Sequence, residues 1–523
     1  MKPSTGELLA LLRAGANVRA WGMFQAAGYD RVMDDPAVLT LHGRMLKDRA
    51  RGADGETRRR GFLASADMYA KAAELHNATY PLINAATLSL LGGDRKRAAR
   101  LAELTLERLD DPATEPDTPY YTEATRAEAL LLLEKIGEAR ACLEAAIALA
   151  PEAWEDHATT LKQFALILAA LDLGDDWLDD LRPPASLHFA GHMAIAANDE
   201  AAHEQIRAAV TESGARFGYG ALAAGSDIIV AEALMAAGGA LHVVLPGGVP
   251  TFRAQSVSPA GPLWEARFDA LIAAAATVMP LDVPAEGAGH LAGVELAGEI
   301  AMGLAARNAG TMQAAACQLL VMRGEGDDGL TGMLGEVWRS SGRPQHILDI
   351  AASPRADAAA RIVPERLAAM AEIDFGTDEN IAALLGMSAL AQQLNGLETA
   401  LFPPRWHGRS LTLAYASPLS AFHAMQRILA VVPDAAQVRV AAHYAVLTLR
   451  PDPFGGHDVL IGGEAGLPMR MLNAVPAGAV YASGYFANAL AARTGAVRPE
   501  LMGELDHGDG DEPVELFSLH GEI

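Results

Sequence analysis

The sequence has few cysteines, few aromatic residues and no long uncharged apolar run. Its two cysteines, Cys142 and Cys317, lie far apart, which excludes a disulfide framework and a thiolate metal site and suits a reducing cytosol. The most apolar candidate for a membrane helix, Ala231–Val244, is broken by glycine and histidine. Arg13 and Arg19 interrupt the N-terminal apolar stretch that a signal peptide requires. We therefore expect a cytoplasmic protein without a membrane segment.

Positive charge is also scarce. The chain has 41 lysine and arginine residues against 65 aspartate and glutamate residues, and its formal net charge is −24. A surface of this sign repels phosphate backbones, so nucleic acid is not an expected partner. A content of 51% hydrophobic and 20% charged residues is typical of a globular protein. Because 523 residues exceed what one hydrophobic core supports, we predict three domains, at residues 1–182, 183–352 and 353–523.

Helical periodicity dominates the first domain. In its clearest segment, Tyr120–Pro151, a first helix passes through Ala124–Leu133, a turn falls at Ile136–Glu138 and a second helix follows. An earlier copy spans Tyr80–Leu109, and the pattern is weak at residues 20–75. A small residue at the turn, alanines in the second helix and a closing proline resemble the tetratricopeptide repeat. The resemblance implies an all-α repeat region that binds a protein partner, and a generic α-hairpin bundle is the alternative.

In the second domain, short apolar runs alternate with longer helical stretches. This alternation is typical of an α/β doubly wound, Rossmann-like parallel sheet. Pro280 is expected to end one of the runs, since proline lacks the amide that a strand interior needs. The predicted helices are Asp199–Ser213, Asp227–Ala237 and Leu263–Ala276, and the predicted strands are Leu187–Ala190, Ala240–Leu245, Thr277–Met279, Ala315–Val321 and His346–Ile350.

One glycine-rich stretch of this domain carries a family resemblance. Residues Gly218–Asp227 lead into Ile228–Ala237 and continue to Pro246. Together they resemble the Rossmann-like superfamily that includes LOG phosphoribohydrolases and the DNA-processing protein A, often called SLOG. The resemblance spans roughly residues 185–350 and implies a nucleotide or nucleotide-derived ligand, although no cofactor can be named.

The chemistry of the same stretch favours an anion site. Glycines let backbone N–H groups approach a phosphate closely, and a helix that begins at Ser226-Asp227 directs its positive end there. The alternative is that Ser226 and Asp227 only cap the helix. The candidate ligand-binding residues are Gly191, His192, Gly220, Gly225, Ser226, Asp227, Glu232, Pro246, Gly247 and Arg253.

Within that set, His192 either contacts a phosphate or is structural, and Glu232 either accepts a ribose hydroxyl or faces solvent.

The segment Pro246–Thr251 resembles the PGG-x-GT-xx-E motif of LOG-type enzymes, but Pro250 replaces a glycine and no glutamate follows. Arg253-Ala254-Gln255 stands there instead, and its arginine can pair with a ligand phosphate. Without the carboxylate, glycosidic-bond hydrolysis loses its acid or base, so we do not expect hydrolase activity.

The third domain changes pattern again. A helical lead-in, Ala358–Arg366, precedes apolar Leu367–Phe375, a helix at Asn380–Leu397, a strand at Trp406–Tyr415 and a helix at Ser420–Val431. Elements grouped in this way favour an α+β, ferredoxin-like fold. Further strands are expected at Val438–Leu449, Ala479–Ala482 and Val514–Leu519.

Three segments of this domain resemble class III nucleotide cyclases. Trp406–Tyr415 is similar to the family's W-G-D-G-L strand, Val438–Ala445 to its R-x-x-x-H-x-G strand, and Gly478–Ser483 to its P-x-G-x-V-x-x-S region. The family uses two aspartates to hold two metal ions. By the resemblance, the catalytic positions are Glu372, with Asp374 nearby, Gly408, Gly466 and Arg470.

The occupants of these positions predict a cyclase-like domain without catalysis. Trp406–Arg409 has no carboxylate for the second metal, and Arg409 would repel one. Gly466 replaces the orienting asparagine, while Arg470 keeps the arginine of the transition state. We therefore expect no catalytic residue and no metal.

The three domains together resemble bacterial proteins with a TRAFs-binding or tetratricopeptide N-terminus. The order implies a non-catalytic signalling or scaffold protein that senses a nucleotide-type ligand and dimerises or relays through its cyclase-like domain. Two alternatives stay open. One is a LOG-type enzyme that releases the base from a nucleoside monophosphate, and the other is a purely structural scaffold.

Overall fold

The computed structural model describes residues 2–115, 117–193, 195–283, 289–323, 329–350, 365–385, 400–451, 458–506 and 513–521. The chain divides into two compact units, residues 1–12, 17–183 and 311–313 in one and residues 13–16, 184–310 and 314–523 in the other. Within the described ranges, no helix is both long and apolar enough to cross a membrane.

The first unit is built from helical hairpins, which agrees with the all-α prediction. Asp35 begins one helix by accepting hydrogen bonds from the N–H groups of Ala37 and Val38, with Pro36 in the first turn. The helices are α1 (Thr5–Arg13), α2 (Asn17–Ala26), α3 (Pro36–Arg51), α4 (Gly55–Leu75), α5 (Thr79–Leu91), α6 (Arg95–Leu109), α7 (Pro119–Leu132), α8 (Ile136–Leu149) and α9 (Trp154–Leu171).

Small residues let these helices approach closely. A Cβ at Gly43 of α3 would lie 2.8 Å from the ring of Tyr69 in α4. Beside it, the buried hydroxyl of Ser65 donates to the carbonyl of Gly43 at 2.6 Å. A larger side chain at position 43 would therefore require the Tyr69 ring to move.

The turn of the clearest predicted repeat lies earlier than the sequence indicated. Helix α7 ends at Leu132, and Glu134 adopts a left-handed conformation with φ 60°. Helix α8 therefore starts at Ile136, which the sequence placed in the turn. The predicted turn relied on the small residue Gly137, but this glycine lies inside the first turn of α8.

The second unit contains two sheets, and the first is the predicted parallel one. Its six strands lie in the order β4-β3-β2-β1-β5-β6, and all pairs are parallel. Its strands are β1 (Ala185–Gly191), β2 (Ala215–Gly220), β3 (Ala240–Pro246), β4 (Thr277–Leu281), β5 (Ala316–Met322) and β6 (Gln345–Asp349), and its helices are α10 (Glu200–Glu212), α11 (Ser226–Ala236), α12 (Gly248–Ser256), α13 (Pro262–Ala274), α14 (His290–Met312) and α15 (Leu330–Ser340).

Two details of this sheet differ from prediction. Pro280 does not end its strand but lies within β4, which is tolerated because β4 is an edge strand. Arg253 does not lie just beyond β3, because the chain turns at Gly247 and enters α12.

The second sheet is mainly antiparallel, in the order β13-β14-β12-β10-β7-β9-β8, with β11 paired to β10. Among the described strand pairs of this second sheet, only β10–β12 is parallel. Its strands are β7 (Glu365–Asp374), β8 (Arg405–His407), β9 (Ser410–Tyr415), β10 (Arg439–Pro451), β11 (Asp458–Ile461), β12 (Ala479–Ser483), β13 (Val497–Leu505) and β14 (Val514–Gly521), and its helices are α16 (Asp378–Leu385), α17 (Pro418–Leu429), α18 (Leu467–Met471) and α19 (Gly484–Arg493).

The α+β prediction for this region holds with local corrections. Trp406–Tyr415 is a hairpin rather than one strand, since Gly408 has a φ of 62° and reverses the chain. Arg366, predicted to end a helix, lies in β7. Residues 358–364 of that lead-in and residues 386–397 of the predicted helix Asn380–Leu397 lie outside the described residues. The division of the second unit into domains 183–352 and 353–523 stays a prediction.

Candidate functional site

The predicted glycine-rich site comes together at the carboxyl ends of β1 and β2, as expected for an α/β sheet. The chain itself fills it. The N–H and Oγ of Ser226 both donate to the carbonyl of His192, at 3.4 and 3.0 Å. A Cβ on Gly225 would lie 2.9 Å from that same carbonyl, and one on Gly191 would lie 2.4 Å from the Oγ of Ser226. These glycines thus allow one loop to pack against another.

Asp227 completes this internal arrangement. Its carboxylate accepts the N–H of Ala223 at 3.2 Å and is buried. Burial raises the pKa of the Asp227 carboxyl to about 7, against hydrogen bonds from Ala223, Ser226 and Gly191 that lower it. The first N–H of α11 therefore donates to a carbonyl of the protein. The capping alternative is wrong, because the N-cap position is Gly225 and neither Ser226 nor Asp227 caps the helix with its side chain.

The other residues predicted to bind a ligand near the first sheet are in contact with groups of this chain itself. Arg253 donates to both carboxylate oxygens of Asp269, at 2.9 and 3.0 Å, and to Glu265 at 2.9 Å. Glu232 accepts two hydrogen bonds from Arg267, and the Nε2 of His192 lies 3.1 Å from the carbonyl of Ile350. Gly220 lies at the end of β2, where a Cβ would meet the carbonyl of Phe189 at 2.7 Å.

A cavity of about 880 Å³ opens instead at the ends of β3 and β4, between the two sheets. We call it the main cavity. On the first-sheet side it is lined by Gly247 and Gly248, directly after Pro246, and by residues 279–283. Both glycines have positive φ, 71° and 80°, and the N–H of Gly247 donates to the carbonyl of Leu281. Small-molecule sites occupy about 300–1,000 Å³, so the main cavity has the right size.

The second sheet supplies the other wall of the main cavity. Arg470 of α18 lines it, and so do His443 of β10 and Ser483 at the end of β12. The Nδ1 of His443 lies 2.7 Å from the Oγ of Ser483. No sequence motif singles out this pair, although both residues fall in the segments that resemble cyclases. The two residues are 40 positions apart in the chain, and the parallel pairing of β10 and β12 brings them into contact.

The remaining cyclase-like positions lie elsewhere. Glu372 and Gly466 line a second cavity of about 190 Å³, which we call the small cavity. Burial raises the pKa of Glu372, and its Oε2 accepts the hydroxyl of Thr412 at 2.6 Å, which lowers it. Gly408 lies in the β8–β9 turn. No group of three or more histidine, cysteine, aspartate or glutamate residues in the described ranges is arranged to hold a metal ion.

Comparison with known proteins gives one family match. Residues 6–89 match the model of the Tetratricopeptide Repeats-Sensor family, TPR-S. The match covers α1–α5, in the part of the chain where the repeat pattern in the sequence was weak. No curated protein matches the sequence.

Solved nucleotide cyclases are similar to part of the chain. An adenylate cyclase from Trypanosoma brucei in its monomeric state is 15% identical, covering 31% of this chain and 90% of that one, with a TM-score of 0.25. The adenylyl cyclase CyaB from P. aeruginosa is 13% identical, covering 30% and 96%, with a TM-score of 0.25. A dimeric guanylyl cyclase domain from the fungus Blastocladiella emersonii is 13% identical, covering 30% and 98%, with a TM-score of 0.23.

Proposed function

We propose that this protein is a non-catalytic sensor that binds a nucleotide-type ligand in the main cavity and a protein partner through its helical repeats. One observation carries the ligand part. Gly247, from the SLOG-like segment, and Arg470, from the cyclase-like segment, were selected by unrelated motifs and line the same cavity. The proposed ligand site is therefore shared by both sheets.

The chemistry of the cavity wall suits a nucleotide. Arg470 offers a guanidinium group for a phosphate. Asp282, Glu464 and Glu515 offer carboxylates that accept hydrogen bonds from hydroxyl or amino groups, and Tyr485 offers an aromatic face. Polar groups of both kinds at a cavity of this volume are typical of a site for a phosphorylated, hydroxylated molecule.

The absence of catalysis is part of the proposal. Arg409, at the hairpin where the resemblance puts the second metal-binding carboxylate, donates to the carbonyl of Gly376 at 2.9 Å. Asp374 is held in an ion pair by Arg439. The carboxylate pair of the family is thus replaced by one buried glutamate, Glu372, and an arginine, which favours binding over two-metal chemistry.

The regulatory part of the proposal follows from the domain order. The SLOG resemblance suggests a ligand-sensing region, and the TRAFs-binding resemblance suggests a region for a protein partner. Together with dimerisation through the second sheet, these regions would act as a cytoplasmic signalling relay. Ligand binding between the sheets would set the state of the second unit, and the helical repeats would contact the partner. The TPR-S match at residues 6–89 supports the repeat assignment.

Equilibrium binding tests the ligand site. The full chain is titrated with adenosine and guanosine mono-, di- and triphosphates, their 3′,5′-cyclic monophosphates and NAD. We expect binding that Arg470→Gln weakens by at least about tenfold, the value of one charged hydrogen bond. Arg253→Gln is the matched control, because its guanidinium is paired with Asp269 and Glu265. Absence of binding, or equal loss in both variants, would contradict the proposal.

A further inference from the structure

One buried side chain at the main cavity has an unsatisfied polar atom. His443 is 1% exposed, and its Nε2 has no hydrogen-bond partner among the described residues. The Oε1 of Glu464 lies 3.5 Å from this nitrogen, a charge contact without hydrogen-bond geometry. Leaving a buried polar atom unpaired costs about 1–3 kcal/mol. Since His443 lines the main cavity, a ligand in that cavity can supply the missing partner.

The neighbours of His443 favour the tautomer that carries its proton on Nε2. The Oγ of Ser483 accepts the N–H of Phe486 at 3.3 Å and caps α19. Its single hydroxyl proton is then available for the Nδ1 of His443, 2.7 Å away. With Nδ1 as the acceptor, the neutral ring carries its proton on Nε2. The cavity is thus offered an N–H donor, which an anionic oxygen would satisfy.

The same corner of the cavity has a positive electrostatic contribution from a helix. Helix α19 begins at Gly484, and Ser483, Gly484 and Tyr485 all line the cavity. The Tyr485 ring stacks near that of His443, with centroids 6.1 Å apart. One carboxylate opposes the helix end, since the Oε2 of Glu515 would lie 3.0 Å from a Cβ on Gly484. Glu515 also acts on Arg307: burial lowers the pKa of that guanidinium, and the charge of Glu515 opposes the lowering.

We infer that the Nε2–H of His443 and the first turn of α19 bind a phosphoryl oxygen of the ligand. This inference rests on the proposed function and names the part of the ligand that the second sheet recognises. Glu464 faces the same nitrogen and competes with that oxygen as a fixed negative charge. The site lies at the main cavity and not at the small cavity, where the cyclase resemblance would put a nucleotide.

Calorimetry of the full chain with three probes tests this assignment: AMP, adenosine and inorganic phosphate. AMP is expected to bind at least about tenfold more tightly than adenosine, as one charge-assisted hydrogen bond provides. His443→Phe should weaken AMP binding about tenfold and leave the adenosine affinity unchanged, while the contact of the phosphate with Arg470 remains. His443→Gln should retain part of it, because the glutamine amide also offers an N–H. Glu464→Gln should raise the AMP affinity about threefold or more, because it removes a nearby negative charge.

Glu372→Gln, in the small cavity, is the matched control and should leave all affinities unchanged. Equal affinities for AMP and adenosine, or wild-type AMP affinity in both His443→Phe and Glu464→Gln, would overturn the inference while leaving the proposed function intact if Arg470→Gln still weakens binding. No binding of any nucleotide would overturn both. If His443→Phe does not fold, as judged by circular dichroism, the more exposed Glu464→Gln decides the question. Phosphate binding as tight as that of AMP would keep the anion site and refute the nucleotide assignment.

Discussion

Glu299 of α14 and Arg493 of α19 form a buried ion pair that joins the helices of the two sheets. The Nη1 of Arg493 donates to the Oε2 of Glu299 at 2.9 Å, and Nη2 donates to Oε1. The Glu299 side chain is 2% exposed and that of Arg493 is 12% exposed. Because both charged groups are buried, the pair fixes the position of α14 against α19. The stability of the second unit therefore depends on both charges.

Arg493→Met is therefore expected to lower the free energy of unfolding of the second unit by about 3–5 kcal/mol, since it leaves a buried carboxylate without its cation. The double variant Glu299→Leu/Arg493→Met should be less destabilised than the single one. Urea unfolding with hydrogen exchange of α14 and α19 measures both. Glu56→Gln, in an exposed pair with Arg60, is the control and should cost less than about 1 kcal/mol. A single variant as mild as this control would contradict the prediction.

A glycine of α14 sets how closely the same two helices approach. A Cβ on Gly303 would lie 1.9 Å from the carbonyl oxygen of Asn488 in α19, so no side chain fits there. We expect Gly303→Ala to destabilise the second unit by about 3 kcal/mol through overpacking. Gly310→Ala in the same helix meets nothing within 4 Å and should be neutral or stabilising by up to about 1 kcal/mol. Thermal melting of the two variants distinguishes them, and equal melting temperatures would show that the helices are not in close contact.

The alternation of strands and helices in the first sheet could be predicted because its apolar runs are short and bounded by glycine or proline. Strand β2 was not predicted, because the glycines Gly218 and Gly220 suggested a ligand-binding loop where the structure has a buried strand. Helix α12 was not predicted, and Pro250 lies in its first turn, where proline is tolerated. β7 is rich in alanine, and alanine occurs in buried strands and helices alike, so its boundary with the preceding segment was wrong.

The candidate site was predictable only in part. Gly247 and Arg470 were found from local motifs, but their meeting at one cavity depends on how the two sheets pack, which no local pattern encodes. Arg253 and Glu232 were selected for their charge, yet each has an opposite charge on α13 that the sequence spacing did not reveal. The His443–Ser483 contact depends on strand register, which is set by the whole sheet.

Gly225 tests whether the glycine-rich loop serves packing or a ligand. Its φ of 107° and the nearby carbonyl of His192 both exclude a side chain. Gly225→Ala should therefore destabilise the protein by about 2–4 kcal/mol. Gly214→Ala has φ 61° but open space, and it should cost about 1 kcal/mol. Urea midpoints provide the comparison. A Gly225→Ala variant of wild-type stability that loses nucleotide binding would return the ligand site to this loop.

Asp227 should make stability fall with rising pH. Its pKa is raised by burial from 3.8 to about 7, so the folded protein keeps a proton that the unfolded chain has released. The stability from this proton is fully present below about pH 4 and is lost as the pH rises through about 7. Relative to the neutral Asp227→Asn variant, the wild type should lose a few kcal/mol between pH 5 and 8, about 1.4 kcal/mol per pH unit at most. Urea unfolding at each pH measures the difference.

Asp269→Asn is the control, because Arg253 lowers the pKa of Asp269 and the contribution of Asp269 to stability is constant over that range. A flat difference between wild type and Asp227→Asn would mean that the carboxyl is ionised in the folded protein, with its charge met by the N-terminus of α11.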